Sequence, residues 1–308
     1  MTASARPRIG IVVTDEYSPE DPDHDTPILL AALRERGALA EPVVWHADET
    51  DLGAFDLLVI RSPWDYPVRF DEFHAWLDRA EATTHVLNSP SMVRWNLDKR
   101  YLRGLESAGI RVVPTQYCAT ADEARAALDA HGAERVVVKP VISGGARDTG
   151  LFDAHDPRAA ALAARIVAGG GVAMIQPEVP ELSAGREKAL YAIDGHHTHA
   201  IAKGALLEHG GSLIGGVYIE HPEPVPTTAA ERAFAEAALR AVAELTGEPA
   251  PLYARVDTVD SADFGLVALE VELVEPALNL HIAPHVVGMV TDAVLRAAAR
   301  TSPLRSGL

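Results

Sequence analysis

Cysteine is nearly absent: Cys118 is the only one in 308 residues. An intramolecular disulfide is therefore excluded, and a reducing cytoplasm is the expected compartment. Long apolar runs are absent too. None approaches the ~18 residues that a bilayer-spanning helix needs. The short run Ile9–Val13 breaks at Thr14 and Asp15, so the start reads as a first β-strand and not a signal peptide. Basic side chains are scarce, 27 Lys and Arg against 44 Asp and Glu, for a formal charge of −17. A surface of that sign repels phosphate backbones and anionic lipid, which excludes nucleic acid or a membrane as the main partner. It still leaves room for a local cluster of cations around a small polyanion. Fixed-period repeats and low-complexity segments are missing as well. What remains is the balance of a globular protein, 48% apolar and 23% charged residues, in a chain long enough for two or three packed subdomains.

Residues 1–90 read as an α/β unit. Strand Ile9–Val13 leads into a turn rich in Pro and Asp. A helix is expected to open at Thr26 as N-cap, with Pro27 in its first position, and to close before Gly37. A buried strand, Phe55–Ile60, follows and carries Arg61-Ser-Pro-Trp-Asp-Tyr66 at its carboxyl end, where open α/β sheets place their ligands. Residues 91–175 form a second unit. It begins with a helix over Leu97–Ala108 and a helix opened by a Thr120/Glu123 capping box. Strand Val136–Lys139, the glycine loop Ser143–Gly150, a helix from Asp156-Pro157 and strand Val172–Ile175 complete it. Residues 176–308 form the third. There, strands Lys188–Ile193 and His197–Ala202 flank the hairpin signal Asp194-Gly195. A helix capped by Thr228 and Glu231 runs to about Leu245, strands Leu252–Val259 and Leu266–Val274 pair antiparallel, and a last helix starts near Pro284. The first unit is thus α/β and the remainder α+β.

The paired acidic strands carry the most chemistry. With a period of two, Arg255 and Asp257 share one face, and Glu270 and Glu272 share one face of the next strand. A turn centred near Ala262–Asp263 lets all four face the same side. Three carboxylates in that space repel unless protonated or bridged by a cation. Hard oxygen ligands with phosphates completing the shell describe Mg²⁺ with a nucleotide. A bare Glu-x-Glu describes a solvated strand face as well; the Arg-x-Asp opposite is what favours a site.

The order Lys99, Val137-Val-Lys139-Pro140, a glycine loop, Gln176-Pro-Glu-Val179, Arg255-x-Asp257 and Glu270-x-Glu272 with Pro276 resembles the ATP-grasp superfamily. The likeness covers most of the chain and is to the glutathione-synthetase-like and D-alanine–D-alanine-ligase-like members in particular. Arg61–Tyr66, Arg94–Lys99 and Leu269–Pro276 are most similar to the ligases that close the ring of cycloserine. The resemblance implies an N-terminal α/β domain and two α+β subdomains that clasp ATP.

It also implies roles, position by position. Lys99 and Lys139 neutralise the ATP phosphates, and the loop with Ser143, Gly144 and Gly145 closes over them. Gln176, Pro177 and Val179 form the hinge along the adenine edge, and Glu187 meets the ribose. Asp257, Glu270 and Glu272 hold Mg²⁺, Glu272 standing where relatives commonly have Asn. Arg255, assisted by Lys203, stabilises the charge that develops on the transferring phosphoryl group and on the tetrahedral oxyanion. Trp64, Asp65 and Tyr66 select a small amino-acid-like substrate. Taken singly, Lys99 also reads as an exposed helix lysine, Glu187 as an exposed strand-start glutamate, Lys203 as an edge-strand lysine and Trp64-Asp65-Tyr66 as a structural corner. The implied activity is an ATP-dependent carboxylate–amine ligation through an acyl phosphate, either a ring closure or dipeptide formation. A phosphotransferase on the same scaffold and a non-catalytic nucleotide-binding module are the alternatives. A cytoplasmic homo-oligomer is expected, with Gly210–Gly216 as a flap or a linker. His196-His-Thr-His199 reads as a solvated turn. His281 and His285, separated by Pro284, read as no zinc site, with one of them near the acceptor pocket.

Overall fold

The computed structural model describes residues 6–19, 22–211, 213–214 and 221–301; part of the expected flap, Ser212 and Gly215-Gly216, lies outside them. The chain first builds a parallel sheet from β1 (Arg8–Val13), β2 (Leu39–Val44), β3 (Leu57–Ser62) and β4 (Val86–Leu87), in the order β2-β1-β3-β4. Both faces are covered, as parallel sheets require. Ile9 and Ile11 pack with Leu29 and Leu33 of α1 (Asp25–Glu35), whereas Val12, Leu58 and Ile60 pack with Phe73 and Trp76 of α2 (Phe70–Thr83). The start of α1 differs from expectation. Asp23, not Thr26, accepts from the first backbone amides, those of Asp25 (2.9 Å) and Thr26 (3.0 Å). Thr26 and Pro27 therefore lie inside the first turn, where proline loses no helical hydrogen bond.

A single helix over Leu97–Ala108 is not formed. The chain makes α3 (Pro90–Asn96) and α4 (Tyr101–Ser107) with a break between them. Two groups account for the break. The Asn96 amide is drawn to Val271 O (2.7 Å) and Leu273 N (2.8 Å), and the Lys99 amide donates to Val141 O at 2.8 Å. The break thereby aims Lys99 at the following sheet. That sheet has the order β5-β8-β6-β7, from β5 (Gln116–Cys118), β6 (Arg135–Pro140), β7 (Gly150–Asp153) and β8 (Ala173–Pro177). Helices α5 (Ala121–Asp129), with the expected Thr120/Glu123 capping box, and α6 (Pro157–Ala168) cover Val136, Val138, Ala173 and Ile175 on one face. The strand period then turns Val137 and Lys139 to the other face.

After the short α7 (Pro180–Ser183), the last sheet is antiparallel. Its order is β11-β10-β9-β12-β13, from β9 (Glu187–Ile193), β10 (His196–Lys203), β11 (Glu223–Pro224), β12 (Tyr253–Ser261) and β13 (Gly265–Glu272). Helix α8 (Ala229–Thr246), capped by Thr228 and Glu231 and closed by Gly247 at φ 70°, packs Leu239 and Val242 on Leu190, Ala192 and Val256. The final helix, α9 (Val287–Thr301), follows a 3₁₀ turn at Pro284 and returns to α1 and the first sheet. Among the described residues no helix is long and apolar enough to cross a membrane.

Asn88 stitches the first and last sheets together. Its side chain donates to Tyr253 O (2.9 Å) and Leu273 O (2.6 Å) and accepts from Leu252 N (2.7 Å), all buried. Asn88→Ala strands three buried backbone groups at once, so a loss of about 2–4 kcal/mol is expected. It is read as a lower urea midpoint at unchanged slope. A shift under about 0.5 kcal/mol would mean that water satisfies these groups instead.

Candidate active site

A cleft of about 560 Å³ opens between the last two sheets and reaches the carboxyl end of β3. Its floor is the β12–β13 ladder, in which Asp257 pairs with Glu270 and Arg255 with Glu272. That alignment depends on a bulge. From the turn to Thr258 the register is Ser261 with Gly265 and Thr258 with Ala268; Leu269 is then skipped. Continued without the bulge, the ladder would set Asp257 opposite Leu269 and turn both glutamates to the wrong face. As folded, the oxygens of Asp257, Glu270 and Glu272 lie within 4.8 Å of one another.

Cations surround these carboxylates. Arg255 grips Asp257 with two bonds of 2.8 Å and reaches Glu272 at 2.5 Å. Lys203 meets Asp257 at 2.8 Å and Glu187 at 3.3 Å. Lys99 meets Glu270 at 3.3 Å and donates to Ser143 O at 2.9 Å. Lys203 is only 3% exposed, which replaces the edge-strand reading with a buried member of the cluster. Lys99 is likewise turned into the cleft. Lys139 makes no ion pair among the described residues, and burial lowers its pKa, only partly offset by Glu270.

The acidic groups respond unequally. Burial alone would raise Glu270, but Lys99, Lys139, Lys203 and Arg255 reverse this and hold it well below the usual carboxylate range. Glu272 is pushed well up by burial and by the neighbouring Glu270 and Asp257, against the pull of Arg255. A divalent cation among these oxygens would offset the repulsion and favour the ionised form of Glu272. The donor set, three hard oxygens on adjacent strands, fits Mg²⁺.

The remaining expected positions line the same cleft. Ser143, Gly144 and Gly145 edge it, the last at φ 58°, so its backbone turns in a way that glycine tolerates. Gln176, Pro177, Val179 and Glu187 also line it. Gln176 donates to Thr115 Oγ1 at 2.8 Å, which ties its side chain to the neighbouring strand. Trp64, Asp65 and Tyr66 line the other end and are at the same time a structural corner: Asp65 accepts from Trp45 Nε1 at 2.7 Å and pairs with Arg69.

Two histidine expectations change. His199 is no solvated turn residue. A bulge in β10 at His197/His199 buries it against Tyr191, stacked at 4.2 Å, with Nε2 at 2.9 Å from Leu278 O, and burial lowers its pKa to about 4. His281 and His285 do not line the cleft; His281 packs on His24 at 4.6 Å and His285 faces His199. Residues not singled out from the sequence, Tyr17, Arg147 and Glu275, do line it. Only Glu275 had a signal, its place inside the acidic segment before Pro276.

Comparison with known proteins agrees with this geometry. Residues 9–88 match the family model described as D-cycloserine synthetase DcsG, N-terminal domain. The cycloserine biosynthesis protein DcsG of Streptomyces lavendulae is 36% identical over 265 residues, which cover 84% of this chain and 88% of that protein. The crystal structure of D-cycloserine synthetase DcsG superposes with a TM-score of 0.87 at 32% identity, over 96% of this chain and 100% of that one. At the level of fold, the ATP-grasp ligase PsnB, complexed with a minimal precursor, Mg and ADP, gives a TM-score of 0.60 at 20% identity, over 94% of this chain and 98% of that one. With the fold, the acidic ladder and a relative covering most of both chains in agreement, the chain belongs to the ATP-grasp ligases, in the family of the cycloserine biosynthesis protein DcsG.

Proposed function

We propose that the chain uses ATP and Mg²⁺ to convert the carboxylate of a small amino-acid-like substrate into an acyl phosphate, which a nitrogen nucleophile then captures. One observation carries the reading: Lys139, with no ion pair among the described residues, stands in the same cleft as three clustered carboxylates, of which Arg255 bridges Asp257 and Glu272. A half-buried lysine of that kind calls for an anionic partner, and a triphosphate supplies it. The ladder supplies oxygens for the counter-ion of that triphosphate.

In this reading residues 176–308 and 91–175 form the two halves that clasp the nucleotide, and residues 1–90 present the substrate wall. Lys99 and Lys139 hold the phosphates, the Ser143–Gly145 loop covers them, Gln176–Val179 and Glu187 take the nucleoside, and Asp257, Glu270 and Glu272 take Mg²⁺. Mg²⁺ held by these carboxylates would neutralise phosphate charge during the transfer. Lys203 keeps Asp257 and Glu187 in place, and Arg255 offsets the charge that grows at the reacting centre. Trp64, Asp65 and Tyr66 contact the acid. The names of the relatives favour a ring closure of the cycloserine type over the joining of two amino acids.

The test is a trapping assay with ATP, Mg²⁺, hydroxylamine and a panel of D- and L-amino acids, including O-substituted serines. An acyl hydroxamate formed together with ADP is the expected result. A stable phosphorylated product would instead make the protein a phosphotransferase, and nucleotide binding with no turnover of any acid would remove the catalytic reading.

A further inference from the structure

Glu275 lies three residues beyond Glu272 and faces the cleft. Its backbone is pinned from several sides. Trp64 Nε1 donates to Glu275 O at 3.0 Å, and the buried Arg61 donates to Pro276 O. The Asp25 carboxylate accepts from the amides of Leu278, Asn279 (3.2 Å) and Leu280 (2.7 Å). The loop after β13 is thus bolted to the N-terminal sheet. Such a mount on rigid elements holds a functional side chain in one geometry.

The side chain has a distinctive environment. The Tyr66 phenol, Lys99 and Arg255 all act to lower its pKa. Asp257, Glu270 and Glu272 are each paired to a cation, as is Glu187, to Lys203. Glu275 makes no such ion pair among the described residues. It is a carboxylate in the cleft that is held in place yet not neutralised.

We propose that Glu275 is the general base of the ligation step, receiving the nitrogen nucleophile and taking its proton as the C–N bond forms. The inference rests on the ligase reading above. The step balances. The nitrogen lone pair attacks the acyl carbon, the C–O bond to phosphate breaks, inorganic phosphate leaves with that electron pair, and the nitrogen's proton passes to the Glu275 carboxylate. Tyr66, whose pKa is raised far above its usual value by burial and by Glu275, stays protonated and orients the carboxylate. Burial, opposed by the Tyr66 bond and by Lys99 and Arg255, sets the Glu275 pKa at about 7. A group with that midpoint exchanges protons at neutral pH, which a simple ammonium anchor has no need to do.

The experiment separates activation from capture. Hydroxylamine is uncharged at neutral pH and a strong nucleophile, so it intercepts an acyl phosphate without a base. With an acid that wild-type protein converts to hydroxamate, Glu275→Gln is expected to form hydroxamate within about 3-fold of wild type but to lose about 10²–10⁴-fold in formation of the amide or ring product. Glu275→Asp, which keeps the carboxylate, is expected to recover part of that loss. Equal product rates for wild type and Glu275→Gln would overturn the proposal. So would a parallel loss of hydroxamate and product in a variant that still binds AMP-PNP with Mg²⁺, since Glu275 would then serve acid binding or phosphoryl transfer. If Glu275→Gln fails to bind AMP-PNP, Glu275→Asp decides: hydroxamate and product falling together would refute the base role, and a selective loss of product would support it. Absence of hydroxamate with wild-type protein is a different failure, that of the ligase reading itself.

Discussion

Replacing Glu270 by glutamine is expected to lower ATP turnover by about 10²–10³-fold at limiting Mg²⁺, a loss of roughly 3–4 kcal/mol, comparable to removing one preorganised electrostatic group from an active site. The magnitude follows from how many groups depend on this carboxylate. It pairs with Lys99 at 3.3 Å and stands opposite Asp257 across the ladder. Four nearby cations hold it ionised despite burial. Glutamine keeps the shape and one oxygen but removes the charge, so a divalent cation loses much of its attraction and Lys99 loses its partner. Raising Mg²⁺ should recover part of the rate, because the defect is one of occupancy. The measurement is ADP release against Mg²⁺ concentration for wild type and variant. Full turnover by Glu270→Gln at limiting Mg²⁺ would remove the metal assignment, and an equal loss at every concentration would move Glu270 from metal binding to another role.

The acidic ladder shows how far local pattern reaches. The two-residue period placed Arg255 with Asp257 and Glu270 with Glu272 correctly within each strand. Bringing the two pairs onto one face, however, needs the bulge at Leu269, and a one-residue irregularity carries no composition of its own. The capping boxes at Thr120 and Thr228 were legible because cap and partner lie three residues apart. The break before α4 was not, because its cause is the capture of Asn96 and Lys99 by Val271, Leu273 and Val141, all distant in sequence. His199 misled for the same reason: a hairpin signal describes its turn, while Tyr191 and Leu278 decide its burial. The edge strand β2 escaped notice, since half of its residues are exposed and it contains Pro42. Tyr17, in a loop after β1, lines the cleft only because the chain returns there beside Trp64, with the two rings 5.6 Å apart.

For Arg255→Lys, kcat should fall by about 10²–10³-fold while the KM for ATP moves by less than about 5-fold. Arg255 is 5% exposed and is held by two parallel bonds to Asp257 and one to Glu272. The side chain therefore spends no reorganisation when charge develops in front of it. Lysine preserves the charge but not the fork: a single ammonium cannot satisfy Asp257 in two places and still reach Glu272. The substitution consequently leaves the ground-state charge balance near that of wild type and removes a fixed geometry that matters most in the transition state. Arg255→Ala is a poorer probe, because it leaves the fully buried Asp257 with Lys203 as its one cation, and breaking a buried pair costs about 3–5 kcal/mol of stability. The decisive measurement is the split between kcat and KM, with nucleotide binding checked by titration of AMP-PNP and Mg²⁺. A rise in KM at unchanged kcat would assign Arg255 to holding ATP. A fall in kcat alone would assign it to the reacting centre, where it lies beside the ladder that gathers the three carboxylates.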